Sequence, residues 1–390
     1  MNSKLSSRAI GWGSFFMLSA LGLVADAKQP QIGSGSVLAT ISAEAHRCAG
    51  TEGCNGGFPE GVAVAKNRVY VAGPATFGTI GKGPSLVTVL DQKDGHLITE
   101  IEIEGEDTSQ EHALSGITVD GDDNIYAVST QLGVVRIERH GNHYTQSSYS
   151  TPLPDLPTCG AGASPCSPTP VDLPPITNEM AFDEDGYLYV TDSLQATIFR
   201  IEPGGGAPEA WFSSPLLAGN LSAPLPFGAN GIKVSPDRDF VYVVETFDPN
   251  DLFSGHIYRI PLVEQPDPED IETFATFGNF TVPDSLVFGR SGNLYVSLAG
   301  SSQIAVLDED GAEIRRISGP VGSPIALDGP ATMAFDDASK SLLVANHAIF
   351  GDPSDFAVLK IYVGEKGDPY PDAHVDDDDD HGHGHGHHCH

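Results

Sequence analysis

Six times along the chain a polar or small residue leads a short apolar run. An acidic or glycine-bearing turn follows, and a second apolar run ends in Tyr-Val or a close equivalent. The copies begin Glu60-Gly61-Val62, Ser115-Gly116-Ile117, Asn178-Glu179-Met180, Asn230-Gly231-Ile232, Asp284-Ser285-Leu286 and Ala331-Thr332-Met333. They lead to Val69-Tyr70-Val71, Ile125-Tyr126-Ala127, Leu188-Tyr189-Val190, Val241-Tyr242-Val243, Leu294-Tyr295-Val296 and Leu342-Leu343-Val344. The leading positions lie 55, 63, 52, 54 and 47 residues apart. Apolar runs of this length bounded by turn residues read as strands, and no helical periodicity intervenes. A second pair of strand-like runs follows each copy, such as Thr197-Ile198-Phe199-Arg200-Ile201 and Ala357-Val358-Leu359-Lys360-Ile361. Repeats of about this length predict an all-β, six-bladed β-propeller of four-stranded antiparallel blades over residues 56–365.

The run Ser36–Ile41 stands alone before the first copy and is expected to complete the last blade, removing a sheet edge. The longest interruption, 151–175, is dense in proline and predicts a surface loop near one mouth of the channel. After Gly364 the pattern stops. Five aspartates, Asp376 to Asp380, precede a His-Gly alternation ending His387-His388-Cys389-His390. Such a composition buries no apolar surface, so 366–390 is expected to be a disordered tail. Its imidazoles and thiol are transition-metal ligands, which suits a metal-scavenging tail, the alternative being an expression-tag remnant.

The first 27 residues carry Lys4 and Arg8, an apolar stretch from Ile10 to Val24, and Ala25-Asp26-Ala27, the pattern of a cleavable export signal. A periplasmic or secreted protein is the expectation. Residues 28–55 then form an N-terminal segment holding the closing strand and a Cys48/Cys54 loop. In an oxidising compartment Cys48–Cys54 and Cys159–Cys166 are expected to pair locally, with Cys389 left over. Against 20 basic residues stand 53 acidic ones, a net charge of −33. That balance disfavours nucleic-acid and anionic-membrane partners and favours cations.

In a closed propeller the six leading residues surround one axis. Glu60, Asn178, Asn230 and Asp284 then bring two carboxylates and two amides together, a hard-oxygen set suited to one divalent cation. Calcium is favoured over magnesium, manganese or zinc. Asp284 also qualifies to take a proton, and His347 is a candidate general base. Asp192, Glu245 and Glu111-His112 are further polar candidates near the mouth, with hydrogen bonding at the blade edge as their alternative role.

Ala229-Asn230-Gly231-Ile232-Lys233-Val234-Ser235-Pro236-Asp237, running on to Val241-Tyr242-Val243-Val244-Glu245-Thr246, resembles a motif of the senescence-marker-protein/gluconolactonase (regucalcin-like) family. Pro283-Asp284-Ser285, Gly292-Asn293-Leu294-Tyr295-Val296 and Pro59-Glu60-Gly61 are similar to three more, and Asn178-Glu179-Met180 falls where that family carries Asn-Asp-Gly. The resemblance spans about residues 56 to 363. It implies a six-bladed propeller with one divalent cation and hydrolysis of sugar lactones or related esters. It makes Glu60, Asn230 and Asp284 direct ligands and Asn178 a contact to substrate or metal through water; Ser115, of the same leading column, is a further candidate to bind substrate. The chain departs from the family at Glu179-Met180 and Ser285, and an arginine that some sugar lactonases place before the asparagine is absent from Pro175-Ile176-Thr177. The substrate class is therefore a lactone or ester, with a non-catalytic binding propeller carrying a structural cation as the alternative.

Overall fold

The computed structural model describes residues 30–42, 56–160, 162–349, 351–369 and 373. The expected export signal, the Cys48/Cys54 loop, Cys389 and the Asp/His-rich run lie outside the described residues. Among the described residues, strands form six four-stranded antiparallel sheets. The innermost strands are Val62–Ala65, Leu114–Val119, Thr177–Phe182, Ala229–Val234, Pro283–Phe288 and Pro330–Asp336, of blades 1 to 6. Each touches the next and the sixth touches the first, so the ring closes as a six-bladed β-propeller. The strand Gly35–Thr40 pairs with Ala357–Tyr362 as the outer strand of blade 6. Both termini of the propeller thus meet in one blade, and no inner edge is left open.

The strands read as continuous apolar runs because each blade is covered on both faces. One buried cluster fills each of the six blade interfaces. Successive side chains of a strand go to opposite interfaces. In blade 3, Met180, Phe182, Leu188 and Val190 pack toward blade 2, whereas Ala181 and Tyr189 pack toward blade 4. Tyr126 and Tyr189 of the repeat bury their rings and hand their hydroxyls to a carboxylate at the inner turn. Tyr126 donates to Asp120 at 2.9 Å and Tyr189 to Asp183 at 3.0 Å. Each of those carboxylates also accepts from backbone N–H groups of its own turn.

Blade 5 has Gly289 where blades 2 and 3 have Asp120 and Asp183. The missing carboxylate comes from Glu365, which accepts from Tyr295 Oη at 2.6 Å and from Ser291 N at 3.1 Å. A Cβ at residue 289 would stand 2.7 Å from that carboxylate, so a side chain there would have to displace Glu365. Glu365 begins a strap across this end of the propeller. Gly367 bridges Gly289, Asp368 N donates to Phe288 O, and Arg238 donates to Asp368 at 3.2 Å. Ala373 is fully buried in the blade 2–3 core, and its carbonyl accepts from Gly121 N. Of the expected tail, 366–369 and 373 are held by blades 2, 4, 5 and 6, and the rest lies outside the described residues. A cavity of about 60 Å³ lies above the strap, bordered by Lys233, Arg238, Asp368 and Phe335.

The proline-rich loop carries a Cys159–Cys166 disulfide with a Cα–Cα separation of 4.9 Å. Leu153 and Leu156 are buried in the blade 2–3 core, and Leu156 N donates to Gln195 Oε1 at 2.6 Å. This half of the loop is anchored to the blades.

Candidate functional site

Five of the six inner strands share one irregularity at their N-terminal ends. Pairing to the second strand slips between Leu114 and Ile117, Thr177 and Met180, Ala229 and Ile232, Pro283 and Leu286, and Pro330 and Met333. Two residues of each inner strand are thereby left out of register, a bulge that re-aims side chains. The first of each pair is the leading residue of the repeat. Glu60 holds the matching place in blade 1, its N–H bonded to Ala72 O just ahead of the regular pairing at Val62. The structure therefore sets Glu60, Ser115, Asn178, Asn230, Asp284 and Ala331 at equivalent positions of one channel mouth.

The second residues of the pairs are Gly61, Gly116, Glu179, Gly231, Ser285 and Thr332. Here the blades approach most closely. A Cβ at residue 231 would lie 2.6 Å from Ser285 Cα and 3.0 Å from Glu179 Oε2, and one at residue 116 would lie 2.9 Å from Glu179 Cα. The glycines make room for Glu179, the one large side chain in this row. It is buried, accepts from Ser285 Oγ at 2.8 Å, and forms an ion pair with Lys233. Glu179 was not among the expected site residues. Its signal was present in the Glu-for-Asp replacement within Asn178-Glu179-Met180, flanked in the repeat by glycines.

The two asparagines are oriented by hydroxyls one residue past the second strand of their own blades. Asn178 Nδ2 donates to Ser193 Oγ and Asn230 Nδ2 to Thr246 Oγ1, each at 3.0 Å. Those hydroxyls are held in turn, Ser193 donating to Ala229 O at 2.8 Å. Each amide nitrogen thus has a protein partner, which sets its carbonyl oxygen apart as the ligand-type atom. The same position in blade 6 is His347. It lies one residue beyond the strand Ser341–Asn346, so Asn346 closes that strand. His347 Nδ1 bonds Glu60 Oε2 of blade 1, its ring meets the edge of Phe58 at 5.7 Å, and its buried Nε2 has no hydrogen-bond partner. Ser115 donates its hydroxyl to Thr177 O at 3.1 Å, so it can offer a ligand only lone pairs.

Asp284 Oδ1 is buried without a partner. Burial pushes the Asp284 carboxyl well above the usual range, and the negative charges of Glu60 and Glu179 push it further, while the Asn230 amide opposes them. A buried oxygen left unpaired among carboxylates costs free energy unless a cation or proton satisfies it. The donor set and this orphaned oxygen fit a hard divalent cation.

The remaining candidates have structural duties. Asp192 caps Ile176, Leu194 and Gln195 N–H groups and binds Gln195 Nε2, with burial raising its pKa to about 6. Glu245 pairs with His256 Nδ1 at 3.0 Å, and burial lifts its pKa to about 7. Glu111 accepts from Gly78 and Thr79, and the His112 ring lies against Gln110 O and Gly83 O. Asp91, Asp94 and His96 also place ligand atoms within 4.8 Å of one another, at an exposed hairpin of blade 1. Their carboxylates already cap backbone N–H groups of that turn. A cavity of about 250 Å³ between Ala39–Ser42 and blade 1 contains none of the candidate site residues.

Fold and site together define a six-bladed propeller with an oxygen-donor centre at one mouth. Residues 227–335, the stretch holding Asn230 and Asp284, match the model of the SMP-30/gluconolactonase/LRE-like region. It is similar to a lactonase, drp35, of Staphylococcus aureus strain bovine RF122 / ET3-1, with 30% identity over 149 residues. It is also similar to the drp35 lactonase of Staphylococcus haemolyticus, with 29% identity over 155 residues. The matched part covers 36% of this chain and 41% of the first relative, and 37% and 42% for the second. The chain thus spans about two fifths of the length of these curated relatives. Among solved structures, a calcium-binding protein, regucalcin, from Agrobacterium tumefaciens C58 superposes with a TM-score of 0.55 at 16% identity. That superposition covers 87% of this chain and 97% of regucalcin. A luciferin-regenerating enzyme gives 0.53 at 11% identity, covering 86% and 99%. At such identities these likenesses speak for the fold.

Proposed function

We propose that this protein is a metal-dependent hydrolase of a lactone or ester, with one divalent cation, calcium by preference, held by Glu60, Asn178, Asn230 and Asp284. The observation that carries the reading is the unpartnered, buried Asp284 Oδ1 amid the charges of Glu60 and Glu179. When bound, the cation supplies Lewis acidity toward a carbonyl and charge compensation for the carboxylates.

The chain's own groups do the rest. Ser193 and Thr246 hold the two amides so that their oxygens converge on the mouth. His347 fixes Glu60 through Nδ1 and keeps Nε2 for a substrate or a water. Asp284 takes the proton of the attacking water and returns it to the departing alkoxide. The Lys233 ammonium pairs with Glu179, which leaves the carboxylates of Glu60 and Asp284 for a cation. Export to a periplasmic or extracellular compartment belongs to the same proposal, supported by the pattern of residues 1–27 and by the Cys159–Cys166 bond.

The test is hydrolysis of a panel of lactones and aryl esters by the full chain, with calcium and with a chelator. Turnover that the chelator abolishes and calcium restores is expected. No turnover of any substrate in either condition would leave a non-catalytic binding propeller.

A further inference from the structure

Strand register places the loops that follow the second and fourth strands of every blade at the same end as Glu60, Asn178, Asn230 and Asp284. In blade 4, Ala229 pairs with Glu245, Glu245 with His256, and Gly255 with Phe277. At that end, on the loop that follows Glu245 and the loop that leads to Asp284, three phenylalanines meet. Phe247 and Phe280 rings are 5.7 Å apart, and Phe253 and Phe280 rings 6.2 Å apart. Phe247 is buried, but Phe253 is 62% exposed and Phe280 39% exposed. Asn220 donates to Asp248 O at 2.8 Å, one residue past Phe247, and Leu221, which follows Asn220, is 51% exposed.

This wall is built into the site. Phe247 directly follows Thr246, the hydroxyl that holds the Asn230 amide. Phe280 is four residues before Asp284, and the segment between them is fixed in place. Asn279, Phe280 and Val282 have φ of 60°, 59° and 54°. A β-branched residue such as Val282 rarely adopts that left-handed conformation, and a backbone held so is over-determined by its surroundings. Phe280 N donates to Phe253 O at 3.0 Å, and Ala299 and Gly300 N–H groups donate to Val282 O and Thr281 O. A Cβ at residue 300 would lie 2.4 Å from Phe280 O, so glycine lets the segment lie flat against blade 5. Strain, close packing and exposed rings coincide beside the reacting position. On a chain of net charge −33, exposed phenyl rings at the mouth are the surface that an uncharged, apolar group would seek and an anion would not.

We propose that Phe247, Phe253 and Phe280 form the subsite for the alkyl or aryl part of an uncharged lactone or ester whose carbonyl lies at Asn230 and Asp284. The assignment rests on the hydrolase reading of the mouth and names its substrate class as apolar. Covering the rings with alkyl carbons removes apolar surface from water, about fourfold in binding per methylene.

The experiment measures kcat/KM of the calcium-loaded full chain on γ-lactones carrying no alkyl tail, a butyl tail or an octyl tail, beside a sugar lactone. It also measures binding of the matching 5-alkyl-2-pyrrolidinones, which do not hydrolyse, by calorimetry. Longer tails are expected to raise kcat/KM and to tighten lactam binding. Phe253→Ser and Phe280→Ser are each expected to lower the octyl-to-unsubstituted ratio about tenfold in both readouts. Because the Phe253 ring is mostly in water, its variant keeps the test independent of folding. Turnover that ignores tail length, or that favours the sugar lactone, overturns the subsite and leaves the hydrolase standing. Absence of all turnover with tail-dependent lactam binding does the reverse. A dimer that Phe253→Ser dissolves, with no tail dependence, would assign the wall to self-association and also overturn the proposal.

Discussion

The two ends of the channel are made from the same six strands and differ in almost every physical respect. At the N-terminal ends of five inner strands, paired residues slip out of register and re-aim Asn178, Asn230 and Asp284, with Glu60 at the matching place of blade 1. Polar atoms there are left without partners, at Asp284 Oδ1 and His347 Nε2. At the other end the strands run in register into their turns, and the polar groups there are capped. Asp120 and Asp183 are filled with donors, and Glu365 supplies blade 5 with the carboxylate that Gly289 lacks. A repeat fold buys stability by making its blades alike. The difference between the ends shows function placed where the blades are allowed to be unlike.

Lys233 and Glu179 stand between the two ends, and breaking that pair is expected to have the largest effect. Lys233→Met leaves a buried carboxylate with Ser285 as its remaining side-chain partner. The expected cost is about 3–5 kcal/mol in urea unfolding. Adding Glu179→Gln should recover most of it, and equal stability of the single variant and wild type would show the pair to be solvated in solution.

The strap offers a sharper separation. Ending the chain after Gly364 removes Glu365 and Asp368, and an expected loss of about 3 kcal/mol follows from severing hydrogen bonds to charged groups at Tyr295 and Arg238. Ending it after Ala373 should change stability by less than about 0.5 kcal/mol. Equal unfolding midpoints for the two truncations would remove the strap from the account.

The smallest expected effect concerns pH at the Glu245–His256 pair of blade 4. Burial raises the Glu245 pKa from 4.5 to about 7, and its partner His256 is raised by Glu245. A group whose folded pKa is raised stabilises the fold fully below its unfolded value and loses that contribution as pH rises through the folded value. Glu245 therefore makes the protein less stable as pH climbs from about 4.5 to about 7. Glu245→Gln should flatten the pH dependence of the unfolding free energy across that window. An unchanged profile would locate the pH dependence elsewhere.

Much of this molecule was legible in the repeat. The leading column, the two strands flanking each turn and the closing role of Ser36–Ile41 followed from residue order, because each blade must bury both faces against its neighbours. Three features lay beyond that reading. The His347–Glu60 bond joins residues 287 apart across the ring closure. The Glu179–Lys233 pair joins the second row of blade 3 to blade 4, and side chains of two copies meeting on the axis leave no mark within either copy. The strap escaped because 365–373 has no strand pattern. Its one trace is the glycine at 289, where the repeat otherwise supplies a carboxylate in blades 2 and 3.

The central claim is that one mouth holds a single divalent cation through residues of blades 1, 3, 4 and 5, without help from the His-rich tail. Metal analysis of protein ended after Ala373, stripped with a chelator and reloaded with calcium, tests it most directly. The account predicts one ion per chain, retained weakly by Asp284→Asn and lost from Asp284→Ala. A truncated chain that holds no ion, or an Asp284→Ala variant that keeps a full equivalent, would contradict it.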